Sequence, residues 1–125
     1  MTKPKLSEIS VPDPAAMKVE TAADYLQRGW LYYSHQKFDL AIADFQYVLK
    51  TDPDNVDTLY GLGLTQKASG ASPQALATFG QVLKLVPKIS DHQKESVLAR
   101  LVKGHINQIK TGDWNLEKEV WNYVG

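Results

Sequence analysis

Histidines and carboxylates are the side chains of this chain most able to do acid–base or metal chemistry, and their spacing favours neither. His35, His92 and His105 fall on separate segments and lack the i, i+4 spacing of a helical metal pair. The carboxylates are scattered, and those at positions 52–57 flank a predicted helix start, where negative charge suits the helix dipole. The chain has no cysteine, which excludes thiolate metal sites and cysteine nucleophiles. We therefore predict that the chain is not an enzyme and uses no metal or cofactor.

Composition indicates one globular domain. The 125 residues are 43% hydrophobic and 22% charged, as in ordinary globular proteins. Lys and Arg total 14, as do Asp and Glu, so the excess of basic residues that nucleic-acid binding requires is missing. No apolar run approaches the roughly 18 residues of a membrane span, and the N-terminal segment is too polar for a signal peptide. These features predict a cytoplasmic protein that binds no nucleic acid and does not insert into membranes.

The elements that position the side chains are predicted to be helices. Residues 1–19 contain Pro4, Pro12 and Pro14 without an apolar period, which predicts a flexible N-terminal arm. From Thr21 onward, apolar residues recur every three and four positions, the period of an amphipathic helix. We expect one all-α domain over residues 20–125.

The chain also resembles itself when it is shifted by 34 residues, the length of one helix-turn-helix repeat. Eight positions are identical in this overlay, several times the roughly two expected from average residue usage. The matched pairs are Gly29 and Gly63, Ala41 and Ala75, Ala43 and Ala77, Phe45 and Phe79, Val48 and Val82, Leu49 and Leu83, Lys50 and Lys84, and Pro53 and Pro87.

These residue types suit a helical hairpin. A glycine inside a helix costs roughly 1 kcal/mol against alanine, so its presence predicts that a neighbouring helix needs the space. The alanines of the second helix would lie where the two helices come close, and the phenylalanines would fill the space beside them. The prolines would stop each second helix. Asn55 and Ser90 are the predicted N-caps of the helices that follow.

The pattern resembles the tetratricopeptide repeat (TPR), with repeat one at 22–55 and repeat two at 56–89. Arg28 and Gln66 depart from the family pattern of Leu and Tyr, which predicts looser packing at both positions. The resemblance implies an all-α, right-handed α-solenoid of helical hairpins with about six helices.

A third, degenerate hairpin is expected over residues 90–125. Residues 91–110 have the apolar side of one long helix, and Gly112-Asp113-Trp114 resembles the turn that joins the two helices of a family repeat. A short apolar stripe follows, which would cover the end of the repeat stack; it contains Leu116, Val120, Trp121 and Val124.

The resemblance implies a concave groove, lined by the first helices, that binds a protein or peptide segment through apolar anchors. Carried over position by position, the partner-binding residues are Leu26, Trp30, Tyr33, Tyr60, Leu64, Lys67, Lys94, Leu98 and Leu101. The Lys and Asn clamp with which some relatives hold acidic chaperone tails is absent, so such tails are not expected. The function implied is that of an adaptor, scaffold or assembly factor.

Two alternatives remain. The N-terminal arm, or the C-terminal stripe around Trp114 and Trp121, could bury the groove aromatics. Exposed apolar ends could instead pair two chains as a homodimer.

Overall fold

A computed structural model describes residues 13–114, which form five α-helices and no strand. The prediction of an all-α helical repeat is confirmed. The helices are α1 (Ala22–Ser34), α2 (Phe38–Thr51), α3 (Val56–Ala68), α4 (Ser72–Leu85) and α5 (His92–Thr111), with 3₁₀ helices at Pro14–Ala16 and Val86–Lys88. Helices α1 and α2 pack together as one hairpin, α3 and α4 as the second, and α5 packs on α4.

The helices begin at polar caps. Thr21 and Asp24 form a reciprocal capping box at α1, and the Asn55 side chain caps α3, as predicted. The prediction of Ser90 at α5 is wrong, because Asp91 is the cap. One Asp91 carboxylate oxygen accepts from the N–H groups two and three residues on, at 3.0 and 3.1 Å, and so satisfies two donors that the helix leaves free.

Each hairpin closes on a phenylalanine ring that lies against a glycine. A Cβ atom on Gly63 would lie 2.6 Å from Cε1 of Phe79, and one on Gly29 would lie 2.8 Å from Cε1 of Phe45. Both rings are fully buried. The glycines are therefore required for close packing, as their positions inside helices predicted.

The core consists of two clusters, and each is completed by the next first helix. The first cluster joins hairpin one to α3, and contains Tyr32, Ala41, Phe45 and Leu62. The second joins hairpin two to α5, and contains Leu59, Ala75, Phe79, Val82, Val86, Leu98, Val102 and Ile106. Neither hairpin buries its apolar face alone, so the stacking of neighbours builds a continuous core.

The expectation of loose packing at Arg28 and Gln66 is wrong. The Arg28 guanidinium donates two hydrogen bonds to the Asp44 carboxylate, at 2.7 and 2.8 Å, and the Asp44 side chain is only 5% exposed. Thr78, which occupies the position of Asp44 in the second hairpin, donates to the Gln66 side-chain oxygen at 2.7 Å. Both departures from the family pattern therefore join the two helices of their hairpin through a polar pair.

The two ends of the chain lie partly outside the described residues. Residues 1–12 of the predicted arm are outside them; of the remainder, Pro14 is buried and lies in a 3₁₀ helix that contacts α1. At the other end, α5 stops at Gly112, whose φ of 76° is the left-handed conformation that glycine adopts most easily. The predicted second helix of the third hairpin, with Leu116, Val120, Trp121 and Val124, falls outside the described range.

Candidate functional site

Helix α1 carries a row of half-buried apolar side chains, Leu26, Trp30 and Tyr33, on the side next to α3. The Trp30 ring meets Phe45 edge-on at 5.4 Å between centroids and Tyr33 at 6.0 Å. A Cβ atom on Gly61 of α3 would lie 3.0 Å from the Trp30 ring. Close packing on three sides therefore fixes Trp30 while part of its surface stays open to solvent.

The first helices lie side by side. Lys94 in the first turn of α5 forms an ion pair with Asp57 in the first turn of α3, at 3.3 Å. We call the surface along α1 and α3, which ends beside α5, the first-helix surface. Its members come from α1 and α3, and they are Leu26, Trp30, Tyr33, Tyr60, Leu64 and Lys67.

Near its α5 end, this surface contains a hydrogen-bonded group centred on His105. The Lys67 ammonium lies 2.8 Å from Nδ1 of His105 and also donates to the side-chain oxygen of Gln108. Because an ammonium can only donate, Nδ1 accepts, and Nε2–H donates to the Tyr60 hydroxyl at 3.2 Å. The imidazole also stacks on Phe79, with centroids 5.3 Å apart and planes inclined by 5°.

Burial controls the charges in this group. Desolvation, with the nearby Lys67 ammonium as the smaller cause, lowers the pKa of His105 to about 4, so the ring is neutral at pH 7. Desolvation also lowers the pKa of Lys67 and raises that of Tyr60. Within residues 13–114 no carboxylate forms an ion pair with Lys67, so its charge is held by neutral acceptors.

Trp114 folds back from the end of α5 and covers part of this group. Its ring meets His105 edge-on at 4.7 Å and lies 5.7 Å from the Lys67 nitrogen, within the range of a cation–π contact. A Cβ atom on Gly104 would lie only 2.0 Å from the ring. Trp114 thus reaches Lys67 of the predicted groove, but among the described residues it makes no ring contact with Trp30, Tyr33 or Tyr60; Trp121 falls outside the described range.

The residues predicted for α5 have different surroundings. Lys94 is exposed and paired with Asp57, and Leu101 is 37% exposed beside Trp114. Leu98 is only 7% exposed and belongs to the core cluster that joins hairpin two to α5. We therefore leave Leu98 out of the candidate site.

From the sequence, His105, Gln108 and Gly104 were not assigned to this surface, and Trp114 was placed in the turn after the long helix and in a C-terminal segment that could cover the groove. Lys67 and His105 are 38 residues apart, and only the tertiary packing of α5 beside α3 brings them together. Gly104 did carry a signal, since a glycine inside a predicted helix suggests a close neighbour, as it did in the two hairpins.

The arrangement can supply apolar contacts and hydrogen bonds to a bound molecule. It offers fixed aromatic rings, aliphatic side chains and one partly desolvated ammonium. Residues 13–114 contain no group of three or more His, Asp or Glu side chains placed to hold a metal ion. Over the same residues, no helix has the length and apolar character needed to cross a membrane.

Two protein-family models match the chain. One is described as TPR repeat and matches residues 29–70; the other is described as tetratricopeptide repeat and matches residues 57–88. No curated protein and no solved structure shows significant similarity to the chain.

Proposed function

The chain belongs to the tetratricopeptide repeat family, and on that premise we propose that it binds a segment of another protein on its first-helix surface. Tetratricopeptide repeats mediate protein–protein interaction, and the family is typically non-enzymatic. Within that general role, the proposed work is that of an adaptor, scaffold or assembly factor, without a cofactor. The cytoplasmic location stays a prediction.

The observation that carries the proposal is the fixed, half-open Trp30 ring. Tryptophan and tyrosine are over-represented among the residues that dominate binding energy at protein interfaces. Trp30 and Tyr33 stand next to Leu26, and all three are only half-buried in the described chain. A row of this kind gives a partner apolar contact area on rings that are already held in place.

Preorganisation explains how this surface would bind. A side chain that is free in solution loses roughly 0.5–1.5 kcal/mol of entropy when an interface immobilises it. Phe45, Gly61 and Tyr33 already hold Trp30, so most of that cost has been met during folding. Apolar anchors on the partner would fit this end of the surface, while the Lys67 group adds hydrogen bonding at the other.

The test compares one tryptophan substitution inside the proposed site with one tyrosine substitution outside it. Trp30→Ala removes the centre of the proposed site, whereas Tyr47→Ala removes a 44% exposed ring of α2 that stacks on Tyr25, away from the first-helix surface. Each immobilised protein is exposed to lysate of the source organism after circular dichroism has shown that it is folded. Captured proteins are then purified and titrated against each variant by calorimetry.

We expect the Trp30→Ala variant to lose its partner, with at least a roughly tenfold weaker Kd, because truncation of a central aromatic anchor costs about 2 kcal/mol. The Tyr47→Ala variant should bind like the wild type. Equal binding by all three proteins would exclude Trp30 from the interface and with it the proposed site.

Self-association is the alternative, and one observation favours it. Val97 and Leu101 on α5 are 54% and 37% exposed, which leaves an apolar strip on the last described helix. Light scattering across a range of concentrations separates the two functions. A dimer that dissociates when Leu101 is changed to Asp would support pairing of chains, whereas a monomer at all concentrations would support the first proposal.

A further inference from the structure

The Trp114 ring is aimed by a short polar turn. Gly112 reverses the chain after α5, and the Thr111 hydroxyl accepts a hydrogen bond from the Asp113 N–H at 3.2 Å. The same hydroxyl donates to the Asn107 carbonyl oxygen one turn earlier, at 2.7 Å. The turn therefore directs Trp114 back along α5 and away from the end of the helix.

The place where the ring lies has the features of an aromatic binding site. Gly104 gives it a flat floor, since the three atoms nearest to a Cβ built on Gly104 all belong to the Trp114 ring. His105 meets the ring edge-on at 4.7 Å, and the Lys67 ammonium lies above it at 5.7 Å. We call these three residues, Gly104, His105 and Lys67, the aromatic seat.

Trp114 fills this seat without becoming part of the core. It remains 37% exposed, whereas Phe79, on the other side of His105, is fully buried. It also borders an open depression of about 210 Å³ that Val97, Arg100 and Leu101 line with it. Because the ring is 37% exposed and follows a short turn at the end of α5, we expect that it can leave without unfolding its neighbours.

We propose that the aromatic seat is a subsite for an aromatic side chain of the bound partner, which takes the place of Trp114. The chain's own tryptophan thus identifies the chemistry of the ligand: a flat ring with an electron-rich face, which attracts the Lys67 ammonium, and for which tryptophan is the best natural choice. The inference rests on the proposed binding of a protein segment to the first-helix surface, since Lys67 belongs to both.

The test uses N-acetyl-tryptophanamide as the probe and N-acetyl-leucinamide as its aliphatic control. The two are titrated into the ¹⁵N-labelled Trp114→Ala variant, and amide shifts are followed by NMR. We expect saturable shifts at Gly104 and His105 with the tryptophan probe only. The wild type should bind about tenfold more weakly if its own ring occupies the seat nine-tenths of the time.

Two further variants sharpen the result. Trp114→Ala/Gly104→Leu fills the floor of the seat, and it should fold, because the three heavy atoms nearest to a Cβ at that position all belong to the Trp114 ring that the first substitution removes; binding of the probe should vanish. Trp114→Ala/Lys67→Met should weaken binding roughly two- to fivefold, the range of an exposed cation–π contact.

The proposal is overturned if folded Trp114→Ala shows no saturable shift, or if the leucine probe binds equally well. If Trp114→Ala does not fold, the wild type alone decides. The seated ring must shift the Gly104 α-protons upfield, and excess tryptophan probe must move the Trp114 indole N–H resonance to the position of a solvent-exposed indole, because the probe then occupies the seat; failure of either result contradicts the proposal. None of these measurements needs the natural partner. A negative result here would therefore not contradict the binding tested by the Trp30 capture experiment, and a failed capture experiment would not contradict binding of the probe to the aromatic seat.

Discussion

Replacing Gly63 with alanine tests how tightly the hairpins are packed. Alanine normally stabilises a helix interior by about 1 kcal/mol relative to glycine. At Gly63 the new methyl group would lie 2.6 Å from Phe79, a ring that is fully buried. Gly80 of α4 offers a matched control, because a Cβ atom there would have no heavy atom within 4 Å apart from those of its chain neighbours and of its own helix backbone.

The comparison isolates the steric cost. Both substitutions gain the same helix propensity, so the difference between their free energies of unfolding is the cost of overpacking, which is typically about 1–3 kcal/mol. Gly80→Ala should be stabilised by roughly 0.5–1 kcal/mol, and Gly63→Ala should be destabilised by up to about 2 kcal/mol. For a chain of this length, the two melting temperatures should then differ by about 4–12 °C.

Thermal unfolding followed by circular dichroism measures this difference, and urea unfolding provides an independent free energy. A third variant, Gly63→Ala/Phe79→Leu, replaces the ring with a smaller side chain and should make the added methyl group tolerable. The reasoning is refuted if Gly63→Ala and Gly80→Ala raise the melting temperature equally, because the contact between glycine and ring would then cost nothing.

Three other substitutions or conditions should change stability. The pKa of His105 is lowered from 6.5 to about 4, so folding favours its neutral form. This contribution to the free energy of unfolding is complete above about pH 6.5 and is lost as the pH falls through 4. Allowing for solvent screening, urea unfolding should show a loss of about 1–2 kcal/mol that is absent in His105→Gln. Arg28→Met should lower the free energy of unfolding by about 3 kcal/mol, because it leaves the Asp44 carboxylate buried without its cation. Arg28→Met/Asp44→Leu should be nearly as stable as the wild type. A double variant as unstable as Arg28→Met would contradict this. Asp91→Ala should cost about 1 kcal/mol in thermal unfolding and Ser90→Ala less than about 0.5 kcal/mol; equal losses would count against the Asp91 cap.

The repeat made most of the fold predictable. A 34-residue overlay assigns equivalent places to Gly29 and Gly63, and to Phe45 and Phe79, and the two hairpins do pack in the same way at these positions. Small and large residues at fixed spacing predict helix–helix contact without any knowledge of long-range geometry. The Asn55 cap and the long helix expected over residues 91–110 depend on local sequence, and the structure has both, with α5 at His92–Thr111.

The candidate site was only partly predictable, because it depends on the contacts that α5 makes with residues distant in the sequence. The overlay transfers positions from one repeat to the next, and it placed Leu98 in the groove, although this residue is in the core. It also gave no partner for Lys67, whose contacts with His105 and Gln108 join residues 38 and 41 positions apart. Such contacts follow from tertiary packing, which no short-range pattern encodes.

The polar pairs inside the hairpins have a consequence for how the chain folds. Repeated sequences risk pairing the wrong neighbours, because each first helix could meet the second helix of either repeat. Pairing α1 with α4 would set the Arg28 guanidinium against Thr78, and pairing α3 with α2 would bury the Asp44 carboxylate opposite an uncharged amide, Gln66. A buried charge without its counterion costs several kcal/mol. The two hairpins share one packing plan in their apolar residues, yet their polar pairs allow each helix to recognise its own partner during folding.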